Sequence, residues 1–178
     1  MRQFVMALTF LRIIAGPIIL FVSIFLEMHF TALVLFLFAA LTDFLDGKLA
    51  RDFRVESNVG ALLDPIADKF LLLFSLIAIT LITNDIYVGF MSSIILGREI
   101  WIAGLREFAV KHSKEYATKV SSLAKLKTSI QFISISMFFI SFAFNYALVT
   151  FLASFLLFLS LLISIKSALS YTKEVFQN

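Results

Sequence analysis

Six apolar runs, each long enough to cross a bilayer as a helix, follow one another with little between them: roughly 4–26, 31–50, 58–83, 86–108, 121–143 and 147–170. A helix rises about 1.5 Å per residue, so about 20 apolar residues reach across the hydrocarbon core. In lipid every backbone N–H and C=O must find its partner within the chain, which leaves helices or a closed barrel. Two prolines and six glycines are too few for a barrel's many turns, and the runs do not alternate apolar with polar. With 61% of its 178 residues hydrophobic and a mean hydropathy of +1.00, the chain carries more apolar surface than a soluble domain of this size needs. The sequence therefore predicts an all-α integral membrane protein, a six-transmembrane-helix bundle forming a single domain over residues 1–178. The opening Met1-Arg2-Gln3 runs straight into apolar residues up to Leu26 without a small-residue cleavage site. It reads as a first span rather than a signal peptide.

Charge orients the spans. Three connections, around Glu27-Met28-His29, Thr83-Asn84-Asp85 and Phe144-Asn145-Tyr146, contain no Lys or Arg. The segments on the other side hold Arg2, then Lys48, Arg51 and Arg54, then Arg106, Lys111, Lys114 and Lys119, and finally Lys173. By the positive-inside rule both termini and the loop near residue 54 face the cytoplasm. The net charge of +3 is thus a topology signal with a component of attraction to anionic membrane lipids, and not a nucleic-acid patch. The polar stretch from Lys111 to Lys127 reads as an interfacial connection built on a short amphipathic helix.

Within this apolar chain four aspartates fall close together, in the run Asp43-x2-Asp46-Gly47-x2-Ala50-Arg51-x8-Gly60-x3-Asp64-x3-Asp68. A carboxylate at membrane depth is costly, so such residues are functional candidates. At about 100° per residue, Asp43 and Asp46 share one helix face, and Asp64 and Asp68 share another. Two helices joined by a short loop can bring these pairs together. Four converging carboxylates repel one another without cations between them, and hard divalent ions, Mg²⁺ or Mn²⁺, suit such oxygen donors. Metals held beside a cationic loop are the usual means of handling a pyrophosphate. Arg51 can fork onto a phosphate. Gly47 and Gly60 permit either close approach of substrate to backbone or tight helix packing with Ala50 and Ala61.

The chain has no cysteine, and neither His29 nor His112 pairs with a serine in any arrangement suited to nucleophilic catalysis. That leaves direct displacement with a carboxylate as general base. Asp68 is the candidate, as the deepest member of its pair, where solvent is scarcest. A second cluster is cationic. Arg98 and Arg106 lie within about 80° of each other on the fourth span, and Lys125 and Lys127 open the fifth. Embedded cations suit capture of an anionic group, although Lys127 alone reads as a lysine snorkelling to an interface. Glu99 is a candidate ion-pair partner for Arg98. Thr9 and Arg12 form a similar embedded pair in the first span, suited to substrate binding or to snorkelling.

The aspartate run resembles, at every signature position, the D-x2-D-G-x2-A-R-x8-G-x3-D-x3-D motif of the CDP-alcohol phosphotransferases. Further segments extend the resemblance along nearly the whole chain: Leu8-Thr9-Phe10-Leu11-Arg12 with Pro17, Leu63-Asp64-Pro65-Ile66-Ala67-Asp68-Lys69, Arg98-Glu99-Ile100, Leu105-Arg106-Glu107 and Leu123-Ala124-Lys125-Leu126-Lys127-Thr128. They are similar to the bacterial members that use sn-glycerol 3-phosphate. Ahead of Thr9 the chain lacks the Asn-Pro-Asn-like lead-in that many members carry.

The resemblance implies a six-helix homodimeric enzyme of the bacterial inner membrane, its site open to the cytoplasm. Such an enzyme transfers a phosphatidyl group from CDP-diacylglycerol to an alcohol and releases CMP. It further implies that Asp43, Asp46, Asp64 and Asp68 ligate two divalent ions, with Asp68 also the general base. Thr9, Arg12, Thr42, Gly47, Ala50, Arg51 and Gly60 would line the CDP-diacylglycerol pocket. Arg98, Arg106, Lys125 and Lys127 would hold the phosphate of glycerol 3-phosphate.

Other readings remain open on sequence alone. The acceptor could instead be inositol phosphate, serine or phosphatidylglycerol. Intramembrane prenyltransferases also set two acidic motifs on a diphosphate, but with about nine spans and widely separated motifs. A cation transporter could use the aspartates as an ion site but has no use for Arg51 and Arg98. The topology is directly testable, because the chain has no native cysteine. Cysteines introduced at positions 54 and 114 should label from the cytoplasm and those at 28 and 145 from outside; labelling of 54 and 145 from one side contradicts the six-span reading.

Overall fold

The computed structural model describes residues 2–52, 58–111 and 122–177, and the side chains of 6–42, 63–111 and 126–176. Every regular element among them is a helix: α1 (Arg2–Ile24), α2 (His29–Asp52), α3 (Asn58–Thr83), α4 (Ile86–Lys111), α5 (Ser122–Phe144) and α6 (Ala147–Gln177). Five contain stretches long and apolar enough to cross a membrane, namely Met6–Ile24, Leu63–Thr83, Ile86–Lys111, Leu126–Phe144 and Ala147–Phe176. In α2 the apolar stretch among the described side chains is His29–Thr42. The interfacial helix expected after Lys111 falls mainly on 112–121, outside the described residues. Helix α5 begins at Ser122 and so takes up the last of that polar stretch.

The three turns free of basic residues are tight, and each contains a residue in the left-handed region: Glu27 at φ 54°, Asn84 at 47° and Asn145 at 56°. Asparagine tolerates this conformation better than most side chains, so Asn84 and Asn145 suit helix exits. After the second turn the Asp85 carboxylate accepts the Tyr87 N–H at 2.7 Å, capping the start of α4.

The chain divides into two compact units. The first holds α1, α2 and α3 with the final residues of α5. Here α1 lies along α3 and also packs on α2, around a core that includes Ile19, Phe36, Ala67, Leu71, Leu76 and Ile79. The α1–α3 approach is close because Gly16 has no side chain. A Cβ there would meet the Phe70 carbonyl oxygen at 3.0 Å and a Phe74 ring carbon at 3.0 Å. Pro17 and Pro65 lie inside α1 and α3; each removes one helical N–H, a loss that packed membrane helices tolerate.

In the second unit α4 packs on α6 through Ile102, Leu105, Ala109, Ala168 and Val175. Ser134 of α5 donates to the Ala153 carbonyl of α6 at 2.8 Å.

The burial pattern is that of a protein surrounded by lipid. Phe21, Phe25, Phe90, Phe151 and Phe155 are exposed, whereas Thr9, Arg12, Lys127, Gln131, Ser160 and Ser164 are buried. Apolar tails solvate the outer phenylalanines as well as a core would, so small and polar side chains are kept for contacts between helices. Many hydroxyls donate to the carbonyl one turn back, as Ser23 does to Ile19 at 2.6 Å and Thr80 to Leu76 at 2.8 Å.

Overpacking a tight contact costs about 1–3 kcal/mol. Gly16→Ala is therefore expected to lower the thermal midpoint in detergent by several degrees relative to Gly104→Ala, where an added Cβ meets nothing within 4 Å. Equal midpoints would contradict the close α1–α3 approach.

Candidate active site

One face of α1 presents Thr9, Arg12 and Gly16 at helical spacing, and α3 presents Asp64 and Asp68 one turn apart. The Thr9 hydroxyl donates to Asp64 Oδ1 at 2.9 Å. Arg12 Nη1 donates to Asp68 Oδ1 at 2.8 Å, and Nη2 lies 3.5 Å from Asp64 Oδ1. Arg12 is fully buried, while the two carboxylates are 43% and 50% accessible. The arrangement has a physical reason. A guanidinium cannot be deprotonated, so once enclosed it requires anionic partners, and α3 supplies two. Arg12 therefore does not snorkel. Gly16, one turn along, lets α1 come near enough for the fork to reach.

Thr9 and Arg12, expected beside the donor, are hydrogen-bonded to two of the motif's aspartates. Asp68, expected where solvent is scarcest, is one of the more open side chains of α3. Thr42 is buried, its hydroxyl on the Ala39 carbonyl at 2.8 Å. Asp43, Asp46, Gly47, Ala50 and Arg51 fall on α2 and Gly60 on α3, but their side chains, like that of Lys125, lie outside those described.

Among the described residues no three acidic or histidine side chains converge as a metal site. The part of the proposed site that is described fits a divalent cation. Asp64 and Asp68 are hard oxygen donors, accessible and on one face, and Arg12 offsets only part of their joint charge.

The cationic cluster lies in the second unit. Arg98 Nε donates to the Ser164 carbonyl at 3.2 Å, Nη2 to the Ser167 hydroxyl at 3.2 Å, and Nη1 to Glu99 Oε1 at 2.9 Å. The same Glu99 oxygen accepts from Lys127 Nζ. Lys127, which alone reads as snorkelling, is 4% exposed. The carboxylate on α4 draws it inward. Arg106 lies close enough to Lys127 for their charges to interact, and stands beside the Tyr171 hydroxyl. The expected Glu99–Arg98 pair forms, and the bridge from Glu99 to Lys127 and the contacts of Ser164 and Ser167 with Arg98 are additional to it. A signal existed: Ser160, Ser164, Ser167 and Tyr171 repeat at intervals of four, three and four on α6, a polar stripe in an apolar helix.

Buried polar groups at helix junctions and a half-open acidic face on α3 define a membrane-embedded protein built to handle charge within its helices. Its family follows from comparison with known proteins: a model of the CDP-alcohol phosphatidyltransferases matches residues 5–166, and the chain belongs to that family. Over 139 residues it is 41% identical to the CDP-diacylglycerol–glycerol-3-phosphate 3-phosphatidyltransferase of Cereibacter sphaeroides, covering 75% of this chain and 61% of that one. The equally named protein of Wigglesworthia glossinidia brevipalpis is 40% identical over 130 residues, 72% of this chain and 71% of the relative. That of Salmonella choleraesuis is 32% identical over 131 residues, 72% of each. The matched region thus spans 61% of the length of the first relative and rather more of the other two.

Coupling between Arg12 and Asp68 is measurable. Stability of Arg12→Met, Asp68→Asn and the double variant should be non-additive by about 1–3 kcal/mol, the range for contacting charged residues. Additivity within about 0.5 kcal/mol would mean that the contact is not made in the membrane.

Proposed function

We propose that this protein transfers the phosphatidyl group of CDP-diacylglycerol to sn-glycerol 3-phosphate, giving phosphatidylglycerophosphate and CMP. The observation that carries the proposal is the pairing of Asp64 and Asp68, two aspartates of the family motif, on one accessible face of α3, held by Arg12 and Thr9. The relatives' shared name supports the choice of donor and acceptor.

In this reading the acceptor hydroxyl attacks the phosphatidyl phosphorus. A bond forms between that oxygen and the phosphorus, the bond to the CMP oxygen breaks, and CMP departs as a phosphate monoester. Asp68 takes the hydroxyl proton. Arg12 and Thr9 keep Asp64 and Asp68 facing the same way, fixing the base relative to its neighbour. Asp43, Asp46, Asp64 and Asp68 would hold two divalent ions, Mg²⁺ or Mn²⁺, which when bound neutralise pyrophosphate oxygens. Gly47, Ala50, Arg51 and Gly60, with Thr42, would line the donor pocket. Arg98, Arg106, Lys125 and Lys127 would receive the acceptor's phosphate. We place the chain as a single six-span domain in the bacterial inner membrane, a homodimer with the site and both termini on the cytoplasmic side. The basic connections between spans support that orientation.

The test is CMP release by purified protein given CDP-diacylglycerol and, one at a time, glycerol 3-phosphate, inositol phosphate, serine and phosphatidylglycerol. Glycerol 3-phosphate should be preferred by at least about ten-fold in kcat/KM, about 1.4 kcal/mol. Preference for an uncharged alcohol would overturn the acceptor assignment. Asp43→Asn, Asp46→Asn and Asp64→Asn should each abolish CMP release while the protein still elutes as a folded species. Chelation of divalent ions should abolish it reversibly; wild-type turnover in Asp43→Asn would refute the metal assignment.

A further inference from the structure

We infer that Glu99 is the positioning residue of the acceptor pocket: by holding Lys127 and Arg98 together it presents their remaining N–H donors to a phosphate monoester. The inference rests on the acceptor reading above and adds a residue to it. Glu99 Oε1 takes one donor from Arg98 of α4 and one from Lys127 of α5. Arg98 is fixed on its other side by Ser164 and Ser167 of α6. One carboxylate thus ties the three helices of the second unit at a single point. Its side chain is 17% exposed, and those of Arg98 and Lys127 are 10% and 5%.

Two features point beyond a purely structural knot. The first is charge. Among the described residues the largely buried Arg98 and Lys127 share a single acid, leaving a surplus of one positive charge, to which the exposed Arg106 adds from nearby. A buried surplus is costly unless an anion answers it, and a phosphate monoester carries about −1.5 to −2 near pH 7. The second is unspent hydrogen bonding. An ammonium has three N–H donors and a guanidinium five, so among the described residues the contacts with Glu99, Ser164 and Ser167 leave donors over on both cations. Gln131 is buried one turn beyond Lys127, and its Nε2 makes no hydrogen bond among the described residues; nor does the Ser164 hydroxyl. Buried donors without partners in a positive cluster suit a ligand rich in acceptor oxygens.

Glu99 itself repels a phosphate, so it is not a ligand. It stops the flexible lysine from swinging away and limits repulsion between the two cations when the pocket is empty.

The test uses the full-length protein in lipid vesicles, with KM for glycerol 3-phosphate and for CDP-diacylglycerol measured separately. Glu99→Gln preserves shape and removes the charge. It should raise the acceptor KM about ten-fold and leave the donor KM within about two-fold. Glu99→Asp, which keeps the charge on a shorter stem, should fall between Glu99→Gln and the wild type. In a Lys127→Ala background, which itself raises the acceptor KM, Glu99→Gln should add less than about two-fold, because Glu99 acts through that lysine. Independent, multiplying effects would overturn the positioning role, as would donor and acceptor KM rising together or an unchanged acceptor KM in Glu99→Gln. An unchanged acceptor KM in Lys127→Ala would fault the acceptor pocket itself, and the role of Glu99 with it.

Discussion

A guanidinium with no access to solvent, held against two carboxylates, is the contact on which the first half of this molecule turns. Arg12 costs too much in a membrane interior unless anions reach it, and Asp64 and Asp68 reach it only if α1 lies close along α3. That closeness depends in turn on Gly16, where even one methyl group would press on the Phe70 carbonyl. Packing and site are therefore not separable here. The contact that sets the register of α1 on α3 also sets the direction in which the two aspartates point, and a change made for either purpose alters both.

The second unit repeats the same physics with the signs exchanged. There one acid, Glu99, gathers cations from two helices while Arg98 reaches across to a third. In both units the ionic contacts are enclosed by helices whose outer faces are phenylalanine, leucine and isoleucine. In lipid, apolar side chains gain little by meeting one another, so polar contacts and close backbone approach carry the specificity of helix pairing. The serine stripe of α6 serves the same end with little bulk: the Ser160 hydroxyl donates to the Leu157 carbonyl and that of Ser167 accepts from Arg98.

Much of this was legible in the sequence. Apolar runs located the helices, although α6 continues from the expected end near 170 to Gln177, and Asn84 and Asn145 marked turns that the backbone makes in the left-handed region. The motif from Asp43 to Asp68 identified the acidic face because spacing along a helix converts directly into shared direction. What could not be read was who answers each charge. Arg12 lies more than fifty residues from Asp68, and Lys127 nearly thirty from Glu99, so helical periodicity is silent about both pairings. The snorkelling lysine shows the weakness most clearly. Near a span's end an ammonium can turn outward to water or inward to an acid, and only the position of α4 decides between them.

The account's central claim is chemical. In the proposed function a chain without cysteine, and without a serine–histidine pair, transfers the donor's phosphatidyl group in one displacement with a carboxylate as base. The stereochemical course at phosphorus tests this most directly, using a CDP-diacylglycerol made chiral at the phosphatidyl phosphorus by sulfur and oxygen isotopes. A single displacement predicts inversion of configuration in the product. Retention would require two displacements through a phosphatidyl–enzyme intermediate, and would contradict the account.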